Sequence, residues 1–388
     1  MRTLELFAGA GGAALGLEAA GLEHAALVEL NADACATLRA ADLGPVFEGD
    51  VRDLDGIAAM AGEVDLIWSS FPCQAWSQAG SRKGAMDDRN GWPWTVDAID
   101  RFKPTWFLGE NVKGLIQHRT GCTARGGQRM LFGGRPELEC PGCYMERVIM
   151  PDLKKRFAHA GYWLLDAANY GVPQHRRRVI LWAGPRPLTK PQQTHGPGAM
   201  LPWVSMASAL GLSKEQYVVG GGTNPSKPGE DNRRYRDLTY EPSTTVAATQ
   251  VSNAGPWVVA SNDYWDRPAP TVVASEVKGT RARPATNFTF NGGPDRASDA
   301  LAVLTGYADP GPTVTVADGQ GLGSMAAREF VEKRLGRRRL TIKECAILQD
   351  FPEGHPFQGT KTEHYRQVGN AVPPTLARVV AEQLLEDA

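Results

Sequence analysis

A chain of 388 residues exceeds one small core and fits two domains, one larger than the other. With 42% hydrophobic and 22% charged residues, and no apolar run near the ~18 residues that span a bilayer, it reads as a globular protein with no membrane segment. A net charge of −1 excludes a global attraction to polyanions, so contact with nucleic acid must come from local clusters such as Arg176 to Arg178, Arg233 and Arg234, and Arg337 to Arg339. The N-terminus runs almost directly into a strand-like segment without the features of a secretory leader. The six cysteines, at 35, 73, 122, 140, 143 and 345, are irregularly placed. Both observations point to a cytoplasmic protein whose thiols are reduced and serve chemistry, metal or packing.

Up to about residue 184, short β-branched or aromatic runs alternate with helix-compatible stretches, the pattern of an α/β domain with a parallel sheet covered by helices. Strands are expected at Thr3 to Phe7, Ala25 to Leu30, Asp65 to Ser69, Trp106 to Leu108, Trp163 to Ala167 and Val179 to Ala183. In open α/β sheets ligands sit outside the carboxyl ends of the strands, and each unusual motif falls just after one of these runs. From about 185 to 336 the texture turns to Pro, Gly, Thr and Asn with short β-like runs, a second, smaller, β-rich or irregular domain. PSTTVAA, PAPTVVA and PGPTVTV share Pro-x-x-Thr-Val there, and their unequal spacing excludes a regular solenoid. After 337 helical texture returns: Thr341-Ile-Lys-Glu344 fits a capping box and Pro352 marks a stop. Pro374 opens a helix whose stripe of Leu376, Val379, Val380 and Leu384 suits packing back on the first domain.

The segment LELFAGAGGAALGLEAAG runs strand, glycine turn, helix. It places Gly9, Gly11 and Gly12 where backbone approaches a ligand and helix N-terminal amides face it, which implies a nucleotide-like cofactor. Gly9-x-Gly11-x-x-Ala14 also satisfies a dinucleotide fingerprint, and a bare packing turn remains open on this segment alone. After the third of these strands stands SSFPCQAWSQAG, with Cys73 on a loop between Pro72 and Gln74. A lone cysteine is as readily a small buried hydrophobe, so its companions decide. GENV brings a carboxylate, Glu110, at the end of the next strand, and YGVPQHRRRV brings guanidinium groups on the loop before another.

In this order, FAGAGG, PCQ, ENV, QHRRR, RRRLTIKECAILQDFP and RQVGNAVPP, the motifs resemble those of the cytosine carbon-5 DNA methyltransferases over about residues 3 to 184 and 337 to 385. The resemblance implies a Rossmann-like S-adenosylmethionine-binding catalytic domain at 1–184 plus 337–388 and a target-recognition domain at 185–336. It implies Cys73 as nucleophile, Glu110 at N3 and the amino group of the base, and Arg176 and Arg178 as supporting cations. Phe7 would stack on the adenine, Gly9 and Gly11 shape the turn, Glu29 hold the ribose, Asp50 meet the adenine amino group, and Asn370 return beside the cofactor. The chemistry explains the set. Carbon 5 of cytosine is a poor nucleophile until a thiolate adds at carbon 6, and the charge that develops on the ring is relieved by a proton from a carboxyl group at N3. The substrate would be duplex DNA with the cytosine swung out of the helix. A restriction endonuclease of the same specificity and a monomeric state are further expectations of the resemblance.

Two departures stand out. Residues 118–147 form a Gly- and Arg-rich insertion in which His118-x3-Cys122 and Cys140-x2-Cys143 have the spacing of a tetrahedral structural zinc site, although a long loop can also carry free cysteines. Leu30 stands where many members of this family place a large aromatic beside the adenine. Three other readings compete: an RNA cytosine methyltransferase on the same scaffold, a non-catalytic DNA-binding relative, and a nicotinamide dehydrogenase. The recognition-like middle segment disfavours the first, intact Cys73 and Glu110 the second, and the PCQ, ENV and QHRRR motifs the third.

Overall fold

The computed structural model describes residues 1–72, 90–118, 122, 140–211, 216–219, 235–236, 257–260 and 337–388. Cys73, the Pro-x-x-Thr-Val segments, Arg233 and Arg234 lie outside the described residues.

Strand β1 (Arg2–Leu6) is buried on both faces because it occupies the middle of a seven-stranded sheet. It leads into α1 (Gly12–Ala19), β2 (Glu23–Glu29), α2 (Ala32–Ala40), β3 (Val46–Glu48), α3 (Leu54–Ala61) and β4 (Leu66–Ser69). Then follow α4 (Trp92–Phe102), β5 (Trp106–Val112) and a 3-10 turn at Lys113–Ile116. Next come α5 (Pro141–Tyr144), a π-helical turn (Met145–Ile149), α6 (Met150–Arg156), β6 (His159–Asp166) and β7 (Arg177–Gly184). The spatial order is β3-β2-β1-β4-β5-β7-β6. Chain order reverses between β1 and β4, so the ends of these two strands open the crevice in which α/β sheets bind ligands.

The first five of these strands pair in parallel, but β7 runs antiparallel to both β5 and β6, so the sheet is mixed. The expectation of a uniformly parallel sheet is corrected here, for a reason visible in the connection. Residues 167–176 hold only a 3-10 turn and a left-handed Gly171 between β6 and β7, too short for the helix-bearing crossover that parallel neighbours need. β3 escaped sequence reading because three half-exposed residues carry no alternation. β5 extends to Val112, so Glu110 lies inside the strand rather than past its end.

Two apolar clusters cover the two faces. Leu4, Leu6 and Ile67 join Trp92, Ile99, Tyr144 and Ile149 on one, while Leu66, Trp68 and Leu108 join Leu17 and the C-terminal helix on the other. That helix, α10 (Pro374–Asp387), follows α7 (Met206–Leu210), α8 (Ile342–Leu348) and α9 (Lys361–Asn370). Thr341 and Glu344 close the expected capping box on α8, and Leu376, Val380 and Leu384 are fully buried as the apolar stripe requires. In the β-rich region, β8 (Gln216–Val219), β9 (Tyr235–Arg236), β10 (Trp257–Ala260) and β11 (Arg337–Arg339) pair antiparallel in the order β11-β10-β8-β9. Among the described residues no helix is long and apolar enough to cross a membrane.

The contact of α10 with α1 is close because α1 presents glycine to it. A Cβ at Gly16 would stand 2.2 Å from the Pro374 carbonyl and 2.7 Å from the Ala377 Cβ. Alanine in mid-helix gains about 0.5–1 kcal/mol over glycine, whereas overpacking costs about 1–3 kcal/mol, and here one obstacle is rigid backbone. Gly16→Ala is therefore expected to lower the unfolding free energy by about 1–2 kcal/mol net. Chemical denaturation of the variant beside the parent checks this, and a stabilised variant would show that α10 yields freely.

Candidate active site

At the end of β1 the chain turns sharply: Phe7, Gly9 and Gly11 have φ of 60°, 57° and 83°. The left-handed Phe7 stores on the order of 1 kcal/mol or more of strain, held by a ring stacked on Trp94 at 6.5 Å between centroids. A Cβ at Gly11 would stand 2.4 Å from Leu43 Cδ1, so glycine is needed both for its φ and for close approach. Glu29, at the end of β2, accepts from the backbone amides of Gly9 (2.8 Å), Leu30 (2.9 Å) and Asn31 (2.8 Å). Its carboxylate thus ties the glycine turn to the β2–α2 turn. Leu30 beside it is 70% exposed, an unusual state for a large aliphatic side chain at the mouth of a crevice.

Asp50, beyond β3, shares its carboxylate with Arg52 Nε at 2.9 Å and Nη2 at 2.5 Å. The Arg52 hydrogen bonds hold its carboxyl down to about 2. Arg52 in turn lies 5.3 Å from the centroid of the Trp94 ring, which faces Phe7. Phe7, Gly9, Gly11, Glu29 and Asp50 therefore line the carboxyl ends of β1, β2 and β3. Trp94 and Arg52 belong beside them and carried no sequence signal.

The segment holding Cys73 is anchored at both described ends. On the near side, Asn111 Nδ2 donates to the Phe71 carbonyl at 3.0 Å, while its Oδ1 accepts from the Val112 amide at 2.9 Å. On the far side the chain returns at Gly91, where a Cβ would stand 2.5 Å from Pro72 Cδ and 3.2 Å from Phe7 Cζ. Pro72 is therefore held against Gly91, beside the glycine turn.

Glu110 and Arg178 are both nearly buried and pair at 2.7 Å from Nε to Oε1. The β4–β5 register sets Ser69 opposite Gly109, so Glu110 stands one residue along from the strand that leads to Cys73. Arg177 and Arg178 lie within β7 rather than on the loop before it, which corrects that placement. Arg176, expected beside Arg178 as a supporting cation, makes its described side-chain hydrogen bonds to the C-terminal segment. Its guanidinium is fully buried and donates to the carbonyls of Gly369 (2.9 Å) and Ala371 (2.8 Å). Desolvation first, and Arg178 second, depress its affinity for a proton, with Glu110 opposing them. Gln174 Nε2 donates to the Leu348 carbonyl and Gln349 Oε1, and Gln349 Nε2 donates to the Ala371 carbonyl at 2.6 Å. Asn370 ends α9, exposed, between the two residues that Arg176 holds. Gln174 and Asn111 were not among the expected site residues. Their signal was a polar amide inside a strand or strand approach, where burial demands a partner.

His118, Cys122, Cys140 and Cys143 come together as expected, their ligand atoms all within 4.8 Å of one another. Cys122 and Cys143 Sγ stand 3.3 Å apart, and His118 Nδ1 is 3.5 Å from Cys143 and 3.6 Å from Cys140. This donor set of three thiols and an imidazole can hold a tetrahedral zinc ion.

A model of the C-5 cytosine-specific DNA methylases matches residues 1–132 and 146–386. The chain is 29% identical to the Type II methyltransferase M.Eco47II of Escherichia coli, over 98% of this chain and 78% of that protein. It is 30% identical to the Type II methyltransferase M.NgoMIV of Neisseria gonorrhoeae, over 99% and 97% respectively. Among solved structures it resembles a putative DNA modification methyltransferase of an E. coli prophage (TM-score 0.52, 18% identity, 100% and 99% coverage). The DNMT2 of Spodoptera frugiperda shares the fold likewise (TM-score 0.55, 16% identity, 99% and 98% coverage). With the family model matched over nearly its whole length, the chain belongs to the C-5 cytosine-specific DNA methylases.

Proposed function

We propose that the chain methylates carbon 5 of a cytosine flipped out of duplex DNA, through a covalent adduct between Cys73 and carbon 6. One observation supports this most directly: the buried Glu110–Arg178 pair stands on β5 and β7, beside β4, the strand leading to Cys73, which borders the point where the sheet order reverses. The family uses S-adenosylmethionine, which when bound supplies an electrophilic methyl group on a sulfonium. Phe7, Gly9, Gly11, Glu29, Asp50 and Asn370 are the residues proposed to hold it. The residues fit: the turn is glycine at the close approach, three carboxyl ends converge, and an exposed Leu30 offers an apolar face to a purine. Placing a ribose against Glu29 would exchange amide hydrogen bonds for hydroxyl ones.

The Cys73 thiolate adds to carbon 6 and breaks the aromaticity of the ring, which turns carbon 5 into a nucleophile. Glu110 meets N3 and the amino group, and Arg178 fixes the carboxylate's direction. After methyl transfer a base removes the carbon-5 proton and the thiolate leaves, restoring the ring. Arg176 acts on position alone, by holding the chain on either side of Asn370. Residues 185–336 are proposed to read the bases, and the Type II naming of relatives supports a companion restriction endonuclease. His118, Cys122, Cys140 and Cys143 are proposed to bind a structural zinc ion.

Purified protein given an unmodified plasmid and S-adenosylmethionine is expected to leave 5-methylcytosine within one short motif, read by base-resolution sequencing. Cys73→Ser is expected to leave none, and activity on RNA alone would overturn the choice of substrate. Glu110→Gln, which keeps the shape but cannot deliver a proton, is expected to lower kcat by about 10²–10⁴-fold with little change in cofactor affinity. Single-turnover methylation with equilibrium cofactor binding separates the two effects.

Asn111→Ala removes the side-chain hydrogen bond to the Phe71 carbonyl while leaving Glu110 and Cys73 unchanged in sequence. It is expected to lower kcat by about tenfold or more, since misplacement of about 1 Å costs up to 10²-fold. An unchanged kcat in the same assay would show that Phe71 is positioned by packing alone.

A further inference from the structure

We propose that the metal at His118, Cys122, Cys140 and Cys143 positions the catalytic groups, by stapling together the continuations of the strand that carries Glu110 and of the segment that carries Cys73. The inference rests on the zinc reading above and adds a function to it.

The ligand geometry is that of a built site. Zinc bound at about 2.3 Å to sulfur and about 2.0–2.1 Å to nitrogen in a tetrahedron sets its ligand atoms about 3.6–3.8 Å apart. The observed contacts of 3.3, 3.5 and 3.6 Å lie close to that. The thiols of Cys122, Cys140 and Cys143 are 5%, 1% and 0% exposed and form a cluster of their own, packed on one another rather than on the main core. Glu146 Oε1 sits 3.0 Å from His118 Nε2. That carboxylate fixes the proton on Nε2 and turns Nδ1 toward the thiols, the outer contact that metal-bound histidines make. Gly142 completes the fit: a Cβ there would stand 2.8 Å from the His118 ring. Only glycine lets the Cys140–Cys143 turn close over the imidazole.

What the ligands join gives the site its role. His118 follows Glu110 through the end of β5 and the single 3-10 turn at Lys113–Ile116. Besides the metal ligands, the Gly142 amide bond to the Gln117 carbonyl (3.1 Å) ties this stretch to α5. Cys143 precedes Tyr144, whose hydroxyl accepts from Asn90 Nδ2 at 2.8 Å. Asn90 is buried and opens the return of the chain after Cys73, just before Gly91 meets Pro72. Trp92 Nε1 donates to Asp152 at 2.9 Å, a second link from this return to the helix beyond the metal. One ion therefore cross-links the exit of the acid's strand to the exit of the nucleophile's segment. Of the residues proposed to hold the cofactor, Gly9, Gly11, Glu29 and Asp50 stand at the ends of β1, β2 and β3, across the reversal point, and take part in none of these hydrogen bonds; Phe7 meets the return at Gly91 by packing alone.

The test uses the full chain purified without added metal. Elemental analysis is expected to find about one zinc per chain, with three sulfur ligands and one nitrogen by X-ray absorption. Cys140→Ser is expected to lose the zinc and to keep S-adenosylmethionine Kd within about twofold, while kcat falls at least about tenfold. Tyr144→Phe is expected to keep the zinc, the fold and the KM for DNA, and still to lower kcat by about threefold or more. With S-adenosylmethionine present, a 5-fluorocytosine duplex, whose methylated adduct carries fluorine in place of the carbon-5 proton and so cannot release Cys73, is expected to trap both variants more slowly than the parent. Absence of zinc from the parent would overturn the metal reading itself. Zinc present, with Tyr144→Phe at the parent's kcat and trapping rate, would leave the metal in place and overturn the positioning role. If Cys140→Ser fails to fold, Tyr144→Phe still decides between these outcomes.

Discussion

A buried arginine organises this molecule. Burial disfavours the charge on Arg176, and a charge withdrawn from water must be met by fixed dipoles or by an opposite charge. Here the carbonyls of Gly369 and Ala371 supply the dipoles. Those two residues belong to the junction between α9 and α10, nearly two hundred residues further along the chain. Satisfying one guanidinium therefore fixes where the C-terminal segment must sit. Once Ala371 is held there, Val372 and Pro374 lie against the glycines of α1, and α10 buries its stripe on the same face of the sheet as Leu17 and Trp68. Gln174 and Gln349 repeat the logic with neutral amides: Gln174 donates to the Leu348 carbonyl at the end of α8 and to Gln349, which in turn donates to the Ala371 carbonyl at the junction. The polar contacts cost little net energy when complete and much when broken, so they select one arrangement of the two chain ends.

That arrangement explains how a nucleotide-type turn and a distant chain end come to form one site. The N-terminus of α1 points out of a turn made of left-handed residues, with the returning C-terminal segment packed along the helix behind it. The strain at Phe7 is retained because Trp94 and Gly91 surround its ring, and Gly91 in turn abuts Pro72. The glycine turn, the start of the segment that leads to Cys73, and the return of the chain at Gly91 are in this way mutually constrained by contact. Glu110 and Arg178 then sit across the β5–β7 ladder, the one antiparallel pair in a position to bring a cation beside that carboxylate. In an all-parallel sheet, the residue after the QHR turn would leave the sheet at the opposite end from Glu110.

The parts of this design that were readable from sequence are those written in short-range chemistry. The glycine turn, the capping box at Thr341, the proline-opened α10 and the Cys3His spacing all depend on residues a few positions apart, and each appears where its local pattern places it. What escaped was nonlocal. The direction of β7 depends on the length of a connection rather than on strand composition, and β3 is too short and too exposed to alternate. Arg176 and Arg178, two residues apart in one motif, read as equivalent cations. They differ because they meet different partners, a carboxylate of β5 for one and carbonyls of the C-terminal segment for the other. Trp94 and Arg52 were invisible for the same reason: each matters only because another strand end brings Phe7 or Asp50 to it.

The insertion after β5 shows why a metal suits a place where a core does not. Residues 118–147 are rich in Gly and Arg and supply too little apolar surface to hold a long excursion of chain in one position. The cysteine cluster is accordingly separate from the main core. The zinc proposed at these four ligands would compensate for that poverty with bond strength in place of buried area. It would do so beside α5 and the π-helical turn, where Tyr144, Met145 and Ile149 re-enter the main core on the face shared with Trp92. A displacement of the insertion would therefore be carried by rigid packed side chains to the return of the Cys73 segment, rather than being absorbed at the surface.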